Sequence, residues 1–242
     1  GRGRRRVTRA RHLVMTGAGG LRALGIDAAG KHGWLGVLVD GDGFVGVHLG
    51  SLTELVRWAG DVAAIGIDIP IGAVGGGARR ADVEARRFIG VRASSVFPAP
   101  PAEVRDVGTY DEANALLVAL GAPKLSRQAW ALVPRIAEAD ALARTDRRVF
   151  EVHPEVSFRQ LHGAPVPWSK KSWNGLHLRH RLLADAGIVI PTDVPEIASV
   201  VSDDVVDAAV AAWSARRIAA GTARTFPDPP ERCEDRAIAI WC

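Results

Sequence analysis

The chain has 242 residues, 48% of them hydrophobic, which is enough to bury a sizeable core in one large domain or in one domain carrying an insertion. No apolar run approaches the roughly 20 residues that cross a bilayer, and the basic N-terminus lacks the apolar stretch of a signal peptide, so no membrane partner is expected and the cytoplasm is the default compartment. The formal charge of +4 is modest, but its distribution along the chain is uneven.

Residues 1–22 hold Arg2, Arg4, Arg5, Arg6, Arg9, Arg11 and Arg22 in a Gly- and Arg-rich setting. They read as a basic arm without fixed structure, able to touch a nucleic-acid backbone although a solvated tail is the plainer account. The patterned chain, 23–242, opens with three apolar runs, Leu24–Asp27, Gly33–Val39 and Phe44–Leu49. These predict three strands, the last two antiparallel across the Asp40-Gly41-Asp42-Gly43 turn. Ser51 and Glu54 have capping-box spacing for a helix to about Ala59. Ala63–Ile69, apolar except for Asp68 and ended by Pro70, predicts a buried central strand.

From about 71 to 147 the alternation breaks into a Gly-rich loop and helices near Ala81–Ile89, Asp111–Leu120 and Arg127–Arg144, read as a helical insertion. A fifth strand, Arg148–His153, is expected to stop at Pro154. Helices then follow over Gly175–Ala186 and from Ser202, taken as N-cap, to Ala219. The expected architecture is α/β: a mixed five-stranded sheet made of a three-strand antiparallel meander plus parallel strands, with the insertion between strands 4 and 5. That order excludes a simple doubly wound nucleotide fold. Cys233 and Cys242 lack a CxxC pattern and read as free thiols rather than zinc ligands.

Several carboxylates stand where the pattern is otherwise apolar: Asp27 ending the first strand, Asp68 near the end of the fourth, Glu151 in the fifth, and Asp204 with Asp207 on one face of the final helix. Burying a carboxylate costs several kcal/mol unless it is paired or binds metal. Gathered without cations, such groups raise one another's pKa, whereas Mg²⁺ or Mn²⁺ keeps them ionised. Two ions roughly 3.5–4 Å apart activate water and stabilise a leaving oxygen of a phosphodiester. Plainer roles exist for each residue. Asp203 and Asp204 suit a helix N-terminus, Asp27 and Asp68 can cap loops, Glu151 can pair with an arginine, and His153 reads as a packed histidine. A phosphate substrate needs cations. Arg86 and Arg92 lie in an arginine-rich stretch, while Lys170 and Lys171 are two of only four lysines. Trp130 can stack on a base, though core packing suits it better.

Gly25-Ile26-Asp27, Ile65 to Pro70, Ser94 to Pro98, Glu151-Val152-His153-Pro154-Glu155, Ser169 to Ser172 and Asp203 to Ala208 together resemble the domain-of-unknown-function family numbered 429, over nearly all of Leu24 to Trp241. The resemblance implies a ribonuclease H-like fold and nuclease activity, with Asp27, Asp68, Asp204 and Asp207 as metal ligands. Asp204-x-x-Asp207-Ala208 is also similar to the closing helix of Holliday-junction resolvases, which carry Glu where this chain has Asp68. The leading expectation is a metal-dependent nuclease on DNA or RNA, with Asp27, Asp68, Asp204, Asp207 and Glu151 catalytic and Lys170, Lys171, Arg86 and Arg92 holding substrate. Such enzymes often pair subunits, which leaves room for a homodimer. The alternatives are a Mg-nucleotide phosphotransferase or ATPase-like activity on a related fold, and a non-catalytic nucleic-acid-binding module.

Overall fold

The computed structural model describes residues 20–41, 43–72, 78–233 and 236–242. Most of the basic arm (1–19), Asp42 of the expected hairpin turn and 73–77 of the Gly-rich loop lie outside the described residues.

The meander forms as the alternation requires: β1 (Ala23–Ala28), β2 (Trp34–Asp40) and β3 (Gly43–Gly50) pair antiparallel in turn. Helix α1 (Leu52–Ala59) starts with the expected reciprocal cap, the Ser51 hydroxyl accepting from the Glu54 amide and the Glu54 carboxylate accepting from the Ser51 amide at 2.8 Å. Strand β4 (Ala64–Ile67) returns parallel to β1. Helices α2 (Arg80–Ile89), α3 (Tyr110–Ala119) and α4 (Arg127–Thr145) intervene before β5 (Val149–Glu151) adds parallel to β4. The sheet order is β3-β2-β1-β4-β5. Three further helices follow, α5 (Pro154–His162), α6 (Trp173–Asp185) and α7 (Ser202–Ala219). A hairpin of β6 (Thr225–Cys233) and β7 (Arg236–Trp241) closes the chain.

The alternation of β1 and β4 divides the core into two layers. Leu24, Ile26, Ile65 and Ile67 pack on one face against Leu52 and Leu55 of α1 and Ile136 and Ala139 of α4. The stretch expected as an insertion therefore supplies part of that layer. Ala23 and Ala64 point to the other face, beneath α7. Residues 205–215 of α7 are buried all round, because the sheet covers one side and α5 and α6 the other. The hydroxyls of Ser157 and Ser214 meet at 2.7 Å where α5 crosses α7.

Two local expectations are corrected, and one element is new. Pro154 does not merely end a strand; it is the first residue of α5, where a missing N–H costs nothing because the first turn has no intrahelical acceptor for it. The C-terminal hairpin has no counterpart among the expected elements; its Pro227, Pro229 and Pro230 fall where the β6–β7 register shifts between Phe226 and Glu231, so no ladder bond is asked of them. Ser202 lies inside α7, and Val201 takes the cap position without a side-chain hydrogen bond. Among the described residues no helix is long and apolar enough to cross a membrane.

Candidate metal centre

The parallel register places two aspartates side by side. Gly25 pairs with Gly66 and Ile26 with Ile67, and the Asp68 amide donates to the Ile26 carbonyl at 2.9 Å, carrying the ladder one step further. With period-two alternation, Asp27 and Asp68 then follow Gly25 and Gly66 on the α7 face. Those glycines let α7 descend onto the sheet. A Cβ on Gly25 would lie 2.0 Å from the Ala212 nitrogen and 2.1 Å from the Ala208 carbonyl oxygen, and one on Gly66 would lie 2.8 Å from the Ala211 carbonyl oxygen. Asp207, one residue before Ala208, is thereby brought to the strand ends. One carboxylate oxygen from each of Asp27, Asp68 and Asp207 lies within 4.8 Å of the others.

The group is short of positive charge. Burial, reinforced by Asp68 and Asp207, raises the Asp27 pKa well above its ordinary range. Burial pushes Asp68 up to about 7, with Lys170 opposing and Glu151, Glu155 and Asp204 adding to the rise. Asp207, only 1% exposed, is likewise pushed by burial up to about 7 against the pull of Lys170. Lys170 donates to Asp207 Oδ2 and its Nζ lies 3.6 Å from Asp203 Oδ2. Burial disfavours its charge, but Asp207, Asp68 and Asp27 together raise its pKa. Asp207 Oδ1 is buried without a hydrogen-bond partner. Three anionic oxygen donors, one of them an orphaned buried atom, match the hard-oxygen preference of a divalent ion. Asp68 reaches the group although its side chain is one methylene shorter than the resolvase Glu.

The remaining expected residues separate. Asp204 sits on the first turn of α7, half-buried, its pKa raised by burial and by Asp203; it is outside the close trio but near enough to act on Asp68. Lys171 is exposed and close enough to influence Asp204. Glu151 does not join the trio. Both its oxygens are held by Arg79 of the loop before α2, at 2.7 and 2.8 Å, and one accepts from the Ile71 amide at 2.7 Å. Arg79 also binds Asp82, so the fully buried site is balanced by its own arginine, which the two acids keep charged. Arg86 and Arg92 are likewise committed to the fold. Arg86 donates to the Val96 carbonyl at 2.6 Å, and Arg92 donates to the carbonyls of Val166 and Pro167 at 3.5 and 3.2 Å. Trp130 packs in a small cluster with Val104, Ala113 and Leu117, edge-on to Tyr110.

Two further acids lie near the centre. Asp203, which the sequence leaves open between a helix-dipole stabiliser and a metal ligand, shares Lys170 with Asp207 one helical turn away. Glu155 was passed over because Pro154 was read as the end of a strand; with Pro154 at the start of α5, Glu155 falls in the first turn. It is buried, one oxygen accepts from Arg179 at 2.6 Å, and the other has no hydrogen-bond partner. Its charge raises both Asp68 and Asp207. His153 Nε2–H donates to the Ser95 carbonyl at 3.1 Å, and burial lowers the pKa of the ring, so at neutral pH it is uncharged with Nδ1 unpartnered.

The family model described as "Protein of unknown function (DUF429)" matches residues 25–232, a span that includes every member of the acidic centre. No curated protein and no solved structure matches the chain.

Proposed function

The chain belongs to the family of proteins of unknown function numbered 429, and from its acidic centre we propose that this member is a metal-dependent phosphodiester hydrolase, a nuclease, on a ribonuclease H-like fold. The observation that carries this reading is the convergence of Asp27, Asp68 and Asp207 from two adjacent parallel strands and a closing helix. A meander leading into parallel strands, with the sheet order β3-β2-β1-β4-β5, accords with the proposed fold.

Asp27, Asp68 and Asp207 would hold Mg²⁺ or Mn²⁺, with Asp204 at the rim. Bound there, such an ion, or a pair of them, supplies the charge that makes water a nucleophile near neutral pH and stabilises the departing oxygen. The chain supplies the rest. The trio is fixed by the sheet and by the close-packed helix, so the carboxylates are pre-positioned and lose little on binding. Lys170, already at the acid cluster, is placed to hold a phosphate oxygen, and Lys171 to bind the neighbouring phosphate from the exposed side. Neutral His153 offers an unpartnered Nδ1 that can accept a proton at the edge of the same group.

A cleavage screen over structured and unstructured DNA and RNA, with and without Mg²⁺ or Mn²⁺, tests this reading beside Asp27→Asn. Metal-dependent cleavage that falls to background in the variant is expected. Stabilisation by ATP with no strand cut would replace it with phosphotransfer, and nucleic-acid binding indifferent to chelator would leave a binding module.

A further inference from the structure

Residues 168–172 and the first turn of α6 are tied together more firmly than a connection between two helices needs. Arg179, 0% exposed, donates to the carbonyls of Trp168 at 3.1 Å and Gly175 at 2.9 Å while holding Glu155. The Ser169 carbonyl accepts from both the amide and the hydroxyl of Ser172, at 2.9 and 2.7 Å, and the Ser172 hydroxyl in turn caps the Gly175 amide. The Ser169 oxygen lies so close that a Cβ on Gly175 would sit 1.8 Å from it. From the other side, Arg92 holds the two carbonyls just before the turn. The result aims Lys170 inward at Asp207 and Asp203, and leaves Trp168 46% and Trp173 77% exposed with Lys171 exposed between them.

Two large aromatic rings held in water on a rigid turn oppose the usual economy of a protein surface. Their distance from the acidic centre is bounded by the chain. Two extended residues separate Trp168 from Lys170 by at most about 7 Å, and three separate Trp173 from it by at most about 11 Å between Cα atoms. His177 braces Trp173 edge-on, with ring centroids 3.9 Å apart at 61°, so its orientation is set in advance. Resting on the nuclease reading above, we infer that this turn is a grip for an unpaired strand. Trp168 and Trp173 stack on exposed nucleobases, Lys171 binds the phosphate between them, and the next phosphodiester is delivered to Lys170 and the aspartates. The substrate class is single-stranded nucleic acid, or an unpaired flap or loop. A duplex keeps its base faces inside the stack and offers these rings nothing, whereas single strands are bound by the combination of aromatic platforms and cations found on this turn.

The test measures fluorescence anisotropy of labelled oligo-dT, oligo-U and a mixed-sequence duplex with the full chain carrying Asp27→Asn in Mg²⁺, so that nothing is cut. Single strands are expected to bind at least about tenfold more tightly than duplex. Adding Trp173→Ala or Trp168→Ala should weaken single-strand binding by about tenfold, as loss of one stacked base does, and leave duplex binding unchanged. Trp173→Phe should restore most of the loss. Both rings are exposed, and unchanged melting temperatures would confirm that the variants fold. The dT and U arms distinguish DNA from RNA. Equal or tighter duplex binding that ignores both tryptophans, alongside metal-dependent cleavage, would overturn the inference and leave the nuclease reading standing. No binding to any strand would overturn the inference, while the cleavage screen on the unaltered chain decides the nuclease reading separately. A shift of oligomeric state on Trp173→Ala without loss of strand affinity would overturn it in favour of a protein contact.

Discussion

Two clusters of buried acid lie at the same end of one sheet and behave as opposites. Glu151 on β5 meets Arg79 through both oxygens, with Asp82 sharing the same guanidinium, and the Ile71 amide completes the shell. Asp27, Asp68 and Asp207 on β1, the end of β4, and α7 share one partly exposed lysine, and one oxygen is left with no donor. Asp27 and Asp207 are buried as Glu151 and Asp82 are, so burial alone does not mark a site. What marks it is uncompensated charge: an acid whose cation is built in belongs to the fold, and acids whose cation is missing leave a place for one.

Breaking the balanced cluster is expected to have the largest effect on stability. Arg79→Ala leaves two buried carboxylates without their cation and should cost about 3–5 kcal/mol in urea unfolding, with or without divalent metal. The next effect falls on the scaffold of the open cluster. Gly25→Ala sets a methyl group against the α7 backbone and should cost about 1–3 kcal/mol. It should also weaken Mn²⁺ binding measured by calorimetry, because Asp207 moves off with its helix.

The sharpest contrast is one of sign. Asp68→Asn should stabilise the chelated protein by about 1 kcal/mol at pH 8, where Arg79→Ala destabilises it, since it removes a desolvated charge that Lys170 offsets only in part. The pH dependence follows. Asp68 and Asp207 rise in the folded state from an ordinary 3.8 to about 7. A group whose folded pKa is raised favours folding while it is protonated. Its contribution is therefore complete below about pH 4 and lost as pH rises through about 7. Melting curves in chelator should show the wild type losing stability relative to Asp68→Asn across that window, and saturating Mg²⁺ or Mn²⁺ should erase the difference. A gap that persists with metal would mean that the trio does not bind it. The smallest effect is expected from Lys171→Ala: a few-fold weaker strand binding, with the slope of log affinity against log salt reduced by a little less than one.

Much of this contrast was legible before any fold was drawn. Asp27, Asp68 and Asp207 stood out because each interrupts an apolar pattern. The meander, the capping box at Ser51 and the buried fourth strand followed from local periodicity and turn chemistry. Glu151 interrupts its strand in the same way, and only the contact with Arg79 separates it from the others. That contact joins residues 72 apart, beyond the reach of any local pattern. Arg86 and Arg92 looked like phosphate ligands for the same reason, since the backbone carbonyls they hold carry no signature in a sequence. Proline misled at Pro154, because its meaning depends on whether its missing N–H was needed.

The sequence by itself determined the mixed five-stranded sheet and the identity of the acidic trio, because alternation, turn chemistry and out-of-place charge are local properties. Tertiary structure alone decided which acids were left uncompensated, that Lys170 came to rest on Asp207, and that Trp168 and Trp173 stayed in water beside them. Those outcomes depend on which distant side chain arrives within hydrogen-bonding reach, and that is set by how α7 settles onto Gly25 and Gly66 and how Arg179 ties the turn beneath the two rings.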